Sequence, residues 1–267
     1  MLGAARDIKQ RYKHIDYLFL NSSHSQLERI DYVQATKDFF TQPIKAFTVG
    51  TFKVQGISKT SLDGFASVFQ ANVLSPWYLI NEIIPVLKDG GRIIWISTSI
   101  ALPEMLSEDD LGLVKCKYSY EASKYEIELL QHATYQSLYN KYGIQSWLLH
   151  PGVFKSTTFV PTLNVFAYVG MFLMFYICRL FGSKYHCIYP EVAANAPVWA
   201  AVGSDPEKDD MSLKYGSATD RWGNEVLERA KLQVVPGLSE KIYEYVERQR
   251  KELQSRLKDQ VVERYLY

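Results

Sequence analysis

Cysteine is scarce in this chain, with three among 267 residues: Cys116, Cys178 and Cys187. An odd set without paired spacing argues against a zinc site and fits reduced thiols in a cytosolic or similar compartment. The five histidines are scattered, and no two share a helix face, so no metal is expected. Excess charge is also lacking. The formal net charge is +1, and Lys and Arg form no clustered run, which argues against a nucleic-acid partner. The opening MLGAARDIKQRYKH has no apolar core of signal-peptide length, which argues against secretion. Internal repeats and low-complexity tracts are absent. The composition is otherwise that of an ordinary globular protein, 47% hydrophobic and 22% charged. One domain over residues 1–267 with a sizeable core is the simplest reading.

Hydrophobic patterning predicts alternating strands and helices. Ile15–Leu20 reads as a buried strand ended by Asn21-Ser22-Ser23. Periodicity is weak from His24 to Thr60, where Tyr32–Phe40 suggests a short helix and Pro43 and Gly50 act as breakers beyond it. Leu62–Leu87 has helical spacing, with a bend expected at Pro76. After Gly90-Gly91, the run Arg92–Ile96 is a strand ended by Ser97-Thr98-Ser99. A short helix is predicted over Leu106–Val114 and a long one over Tyr118–Tyr142, stopped by Gly143. Ile144–Leu149 is the next strand, ended by Pro151-Gly152. Further on come a helix over Glu191–Ala201, a last strand at Leu213–Ala218 and a closing helix over Ser239–Lys258. This order means βαβ units and a parallel sheet, whose ligands sit beyond the carboxyl ends of the strands. Three strands end there in small polar or turn-forming sets.

Tyr120 and Lys124 stand four apart near the start of the long helix, so both project from one face. An ammonium beside a phenol favours the phenolate and lowers the tyrosine pKa, which suits proton donation to a carbonyl oxygen. The spacing alone is weak. With 19 tyrosines, roughly one Tyr-x-x-x-Lys arises by chance, and on spacing alone a solvated helix face is the better explanation.

The order of the motifs is more specific. Asn21 after a strand, Asn72 on a helix, Ser97-Thr98 after a strand, Tyr120/Lys124, then Pro151-Gly152 and Ser156 make a series that resembles the short-chain dehydrogenase/reductase family. The segments NSSHSQLERIDYVQATKDFF, FQANVLSPWYLI, RIIWIS, YEASKYEIELLQHATY, HPGVFKS, AANAPV and KYGSAT are similar, nearly end to end, to the fungal 3-keto-sterol reductases. The resemblance implies a Rossmann-like, doubly wound α/β fold and NADPH-dependent reduction of a sterol 3-ketone left by C-4 demethylation in ergosterol synthesis. It implies that Tyr120 is the general acid, that Lys124 binds the nicotinamide ribose, and that Asn72 holds a water on the proton path. Asn21, Pro151, Gly152, Val153 and Ser156 would line the nicotinamide end of the cofactor. The hydroxyl that orients the substrate carbonyl is Thr98, Ser97 or Ser99; alternation along a continued strand would put Ser97 and Ser99 opposite Thr98.

The family's Gly-rich phosphate-binding turn and its first βα steps have no counterpart here, since Gly3 stands alone. An N-terminally truncated sheet with an exposed edge and weak cofactor binding is therefore expected. A shortened reading of a longer gene and a truncated relative both fit. Residues 156–183 form an apolar segment, uncharged from Ser156 to Cys178, which reads as a helical lid over the substrate mouth that lies partly on a membrane. A spanning anchor and a plain core helix are the alternatives. Phe159, Phe166, Tyr168, Phe172, Phe175 and Tyr176 would face sterol, lipid or the sheet. By resemblance the location is the endoplasmic reticulum membrane and lipid droplets, and the partners are the C-4 demethylation complex and oxidosqualene cyclase. A membrane-associated scaffold without activity and a reductase of another ketosteroid or lipid ketone remain as other readings.

Overall fold

The computed structural model describes residues 1–156 and 165–257. Its centre is a five-stranded sheet. In spatial order the strands are β1 (Tyr17–Leu20), β4 (Arg92–Ile96), β5 (Gln145–His150), β8 (Leu213–Thr219) and β9 (Glu225–Lys231). The first four are parallel. β9 returns antiparallel along β8, so the strand expected to be last is not. It alternates weakly, EVLERAK, because it is an outer strand with one face wet. At the opposite edge lies β1, with Tyr17 and Phe19 exposed, the uncovered edge that the sequence predicts.

Helices cover both faces of the sheet, as expected for a doubly wound α/β fold. On one face Ile93, Trp95 and Leu148 pack against α5 (Ser75–Leu87), α6 (Ser119–Tyr142) and α10 (Leu238–Arg256). On the other, Ile94, Ile96, Trp147, Leu149 and Tyr215 pack against Ala196, Trp199, Ala200 and Ala201. α6 is buried along most of its length because α10 runs along the side turned from the sheet. Gly143 ends α6 at φ +65°, where a side chain would be strained. α1 (Leu2–Arg11) packs on α5.

Several local expectations fail for identifiable reasons. The bend expected at Pro76 is a π-helical turn over Gln70–Leu74, between α4 (Ser67–Phe69) and α5. Pro76 has no N–H for the carbonyl of Asn72, and widening the preceding turn absorbs the defect. Leu106–Val114 forms no helix. The Asp110 carboxylate takes the N–H groups of Val114 and Lys115 at 2.9 and 2.8 Å, and side-chain bonding of that kind competes with helix. The helix expected at Glu191–Ala201 is broken into α8 (Pro190–Ala193), α9 (Asn195–Val198) and a π turn at Trp199–Gly203. In the weakly periodic stretch, Pro43 opens a helix instead of breaking one. α2 (Tyr32–Thr41) is followed by α3 (Pro43–Val49), and β2 (Leu27–Ile30) pairs antiparallel with β3 (Lys53–Gln55) around them.

The apolar tract contributes α7 (Val165–Leu180), flanked by the paired strands β6 (Val153–Phe154) and β7 (His186–Ile188). Met174, Phe175 and Cys178 are buried, and the Cys178 thiol faces the Pro43 carbonyl of α3. Residues 157–164 of the predicted lid, Phe159 among them, lie outside the described residues.

Candidate active site

The carboxyl ends of β1, β4 and β5 lie side by side, at Leu20, Ile96 and His150. The first turn of α6 comes to this edge. Lys124 is 3% exposed, and its ammonium donates to the Ile96 carbonyl at 2.7 Å. The same ammonium lies 5.7 Å from the centre of the Tyr120 ring, so the two side chains do share a face. Tyr120 is half-buried, and its phenol is hydrogen-bonded to Ser23, in the turn after β1.

The electrostatics reverse part of the sequence expectation. Burial pushes the Tyr120 phenol up, Glu121 adds to that, and the Ser23 bond opposes it. Burial lowers Lys124 to about 8, with Glu128 opposing. Burial is the largest cause of both shifts, so Tyr120 rests as a neutral phenol instead of a near-neutral-pH phenolate.

Asn72 stands in the π turn and is 4% exposed. Its amide nitrogen donates to the His24 carbonyl at 2.9 Å and to the Ser123 hydroxyl at 2.8 Å. Its oxygen accepts the His24 N–H at 2.7 Å. Ser123 in turn donates to the Tyr120 carbonyl at 2.7 Å. Both amide hydrogens of Asn72 are thus committed, and the side chain ties the turn after β1 to α6. Any water held here would have to use an acceptor instead. A second tie is Gln55 of β3, which donates to the Glu121 carboxylate at 2.6 Å and accepts the Tyr120 N–H at 3.4 Å. Sequence reasoning missed Gln55, because nothing in a three-residue strand signals a contact with residues 65 positions away.

β4 ends at Ile96, so strand alternation does not govern Ser97-Thr98-Ser99. Ser97 is 3% exposed, and its hydroxyl donates to the Glu128 carboxylate under α6. In this arrangement the one hydroxyl proton of Ser97 is committed to Glu128. Thr98 and Ser99 are half-buried, and the Thr98 hydroxyl accepts only a long, 3.5 Å contact from the Ile100 N–H. Asn21 is exposed at the end of β1.

After β5 the chain turns at Pro151-Gly152. Gly152 has φ +70°, and a Cβ there would meet the Tyr185 carbonyl at 2.6 Å and the Cys187 sulfur at 2.8 Å, so glycine is required. Val153 pairs with His186, and Ser156 is half-buried beyond β6. These residues fit the nicotinamide-ribose end of a dinucleotide: a phenol and a buried ammonium at the strand ends, beside a turn packed too tightly for a side chain. No Gly-rich turn for a pyrophosphate occurs in residues 1–267. A separate cleft of about 680 Å³, lined by Pro43, Ile44, Thr48, Ser183 and Tyr185, lies between α3 and the turn after α7 and includes none of the groups at this edge. Among the described residues no cluster of His, Cys, Asp and Glu could hold a metal ion.

The chain matches no family model. It is 39% identical over 262 residues to the 3-keto-steroid reductase of Kluyveromyces lactis, covering 98% of this chain and 75% of that protein. It is 41% identical to the 3-keto-steroid reductase ERG27 of Candida albicans, over 98% of this chain and 74% of that one. The figure for ERG27 of Saccharomyces cerevisiae is 39% over 264 residues, or 98% and 75%. Among solved structures, an uncharacterized protein from Mycobacterium paratuberculosis shares the fold with a TM-score of 0.56 at 15% identity, over 94% of this chain and 72% of that chain. Identity at this level across nearly the whole length places the chain in the fungal 3-keto-steroid reductase family.

Proposed function

We propose that this chain carries the proton-donating half of an NADPH-dependent reductase that converts the 3-ketone of a C-4-demethylated sterol to the 3β-alcohol in ergosterol synthesis. The observation that carries the reading is the Tyr120–Lys124 pair at the ends of the parallel strands, braced through Asn72 and Ser123. The cofactor, when bound, supplies the hydride that reaches the carbonyl carbon. Tyr120 donates its phenolic proton to the carbonyl oxygen as negative charge gathers there, and its raised pKa keeps that proton in place until then. Lys124 stabilises the phenolate left behind, and with a pKa of about 8 it is mostly charged at neutral pH. Thr98 and Ser99, both half-buried, are the hydroxyls available to orient the carbonyl. Asn21, Pro151, Gly152, Val153 and Ser156 would border the nicotinamide, as the family resemblance suggests.

The test is Tyr120→Phe, assayed with NADPH and a 3-keto sterol. Turnover should fall about 100-fold or more while NADPH binding is retained. Activity close to the parent would refute the role.

A membrane surface is the proposed site of work, supported by α7. Phe166, Val169, Leu173, Ile177 and Leu180 are exposed along one side of this helix, with Phe166 89% and Leu173 57% exposed. An uncharged apolar face of this kind suits burial among lipid headgroups, where a sterol also resides. Among the described residues no helix is long and apolar enough to cross a membrane. The endoplasmic reticulum membrane and lipid droplets remain the proposed compartments on resemblance.

A further inference from the structure

A second charged constellation lies under α6. Lys214 of β8 is buried and donates to the Glu128 carboxylate at 2.5 Å and to the Thr98 carbonyl at 2.7 Å. Glu128 also accepts the Ser97 hydroxyl. One turn earlier on the same helix face is Lys124, whose ammonium holds the Ile96 carbonyl. Three consecutive residues at the end of β4 are therefore gripped by two lysines and one carboxylate, across α6, β4 and β8.

A buried ion pair is a poor source of stability, because desolvating both charges offsets their attraction, and an apolar pair of similar volume does as well. Such a pair can do two things that apolar side chains cannot. It can hold a backbone carbonyl in one orientation, and it can set the potential at a neighbouring titratable group. Both targets here belong to the proposed chemistry. We propose that the Lys214–Glu128 pair is a positioning device for ketone reduction: it fixes Thr98 at the strand end and keeps the Lys124 ammonium charged beside Tyr120. The role rests on Tyr120 being the proton donor and Lys124 its partner.

The charged neighbourhood is small enough to assign. On α6, Tyr120 and Glu128 flank Lys124, while Glu121 turns toward Gln55 and Lys53 on β3. From β8 comes Lys214. One row further lie His150 of β5 and Glu228 of β9, paired with each other at 3.5 Å. Glu128 is the carboxylate that acts on Lys124, opposing the loss of its proton.

Lysine ¹³Cε NMR on this chain, with the Lys124 signal assigned by its loss in Lys124→Met, reads the proposal without catalysis. In Glu128→Gln the Lys124 titration midpoint should fall by about one pH unit or more. Should that variant not fold, with the Lys214 ammonium left unpaired, Glu128→Gln/Lys214→Met removes both charges together and should show a fall of the same sign. Lys214→Arg, which keeps the charge, should leave the midpoint near the parent value. In the ketone-reduction assay, Glu128→Gln should move the alkaline limb of the kcat profile to lower pH with little change in KM. A Lys124 midpoint that does not move in a folded variant lacking Glu128 overturns the proposal. That result is distinct from an active Tyr120→Phe enzyme, which would overturn the reductase chemistry instead.

Discussion

Gly216→Ala is a single-methyl perturbation whose effect can be worked out from the strand register. His150 on β5 pairs with Gly216 on β8, and Gly216 pairs with Glu228 on β9. The missing side chain in the middle lets the His150 ring lie across β8 and reach Glu228 at 3.5 Å. Its other nitrogen, Nδ1, accepts the Gly152 N–H at 3.3 Å, so the proton of the neutral ring is on Nε2, the nitrogen nearer the carboxylate. A Cβ on residue 216 would stand 2.1 Å from Nε2 and 2.3 Å from Cε1. The ring is 3% exposed and has nowhere to swing, so it must leave its site. Overpacking of this kind costs about 1–3 kcal/mol, and each lost hydrogen bond about 1 kcal/mol more. At about 2–4 °C per kcal/mol for a chain of this size, thermal unfolding followed by circular dichroism should move down by roughly 5–15 °C.

The cause is isolated by a double-mutant cycle. If the ring is what clashes, Gly216→Ala should cost little once His150→Ala has removed it. The pH dependence gives a second check. The His150 bond, with help from Lys184, depresses Glu228 from its ordinary 4.5 to about 2. A carboxylate held low when folded adds stability above its unfolded pKa and loses it as the pH falls from 4.5 toward 2. The acid-induced loss in that window should therefore shrink in His150→Ala. Parent-like melting of Gly216→Ala, or costs that simply add in the double variant, would refute the reasoning.

Other consequences are as direct. Glu126 on α6 is fully buried with neither carboxylate oxygen hydrogen-bonded, and burial holds it well above 4.5, with Asp110 adding to the effect. The unfolded chain therefore releases a proton that the folded one keeps, and stability falls as pH rises above 4.5. Glu126→Gln should be more stable than the parent, by an advantage in urea melts that grows by about 1.4 kcal/mol per pH unit until the buried carboxyl ionises; a constant difference would contradict this. For α7, Leu173→Asp with Ile177→Asp should weaken flotation with phosphatidylcholine vesicles about 100-fold or more, since each apolar side chain contributes about 1.5–3 kcal/mol when buried. Unchanged flotation would sink the membrane reading, and retention of the parent after a carbonate wash would point to a spanning anchor instead.

The linear sequence determined a good deal by itself. Short-range patterning placed β1, β4, β5 and β8 and the long helix α6, because buried strands and amphipathic helices must repeat apolar residues at their own periods. Small polar residues at the strand ends marked the edge near which Tyr120, Lys124 and Asn72 are brought together. What the tertiary structure alone decided concerns competition between distant groups. The pKa of Tyr120 is raised first by burial, and burial is a property of the packed fold. Ser97 looked equivalent to Thr98 until Glu128, 31 positions on, took its hydroxyl. Asn72 spends both amide hydrogens on partners 48 and 51 residues away. Gly216, Lys214 and Glu228 carried no local signal, since their importance comes from strand register. Sequence spacing reports which groups share an element; only the packed sheet reports which groups must share a proton, a charge or a space.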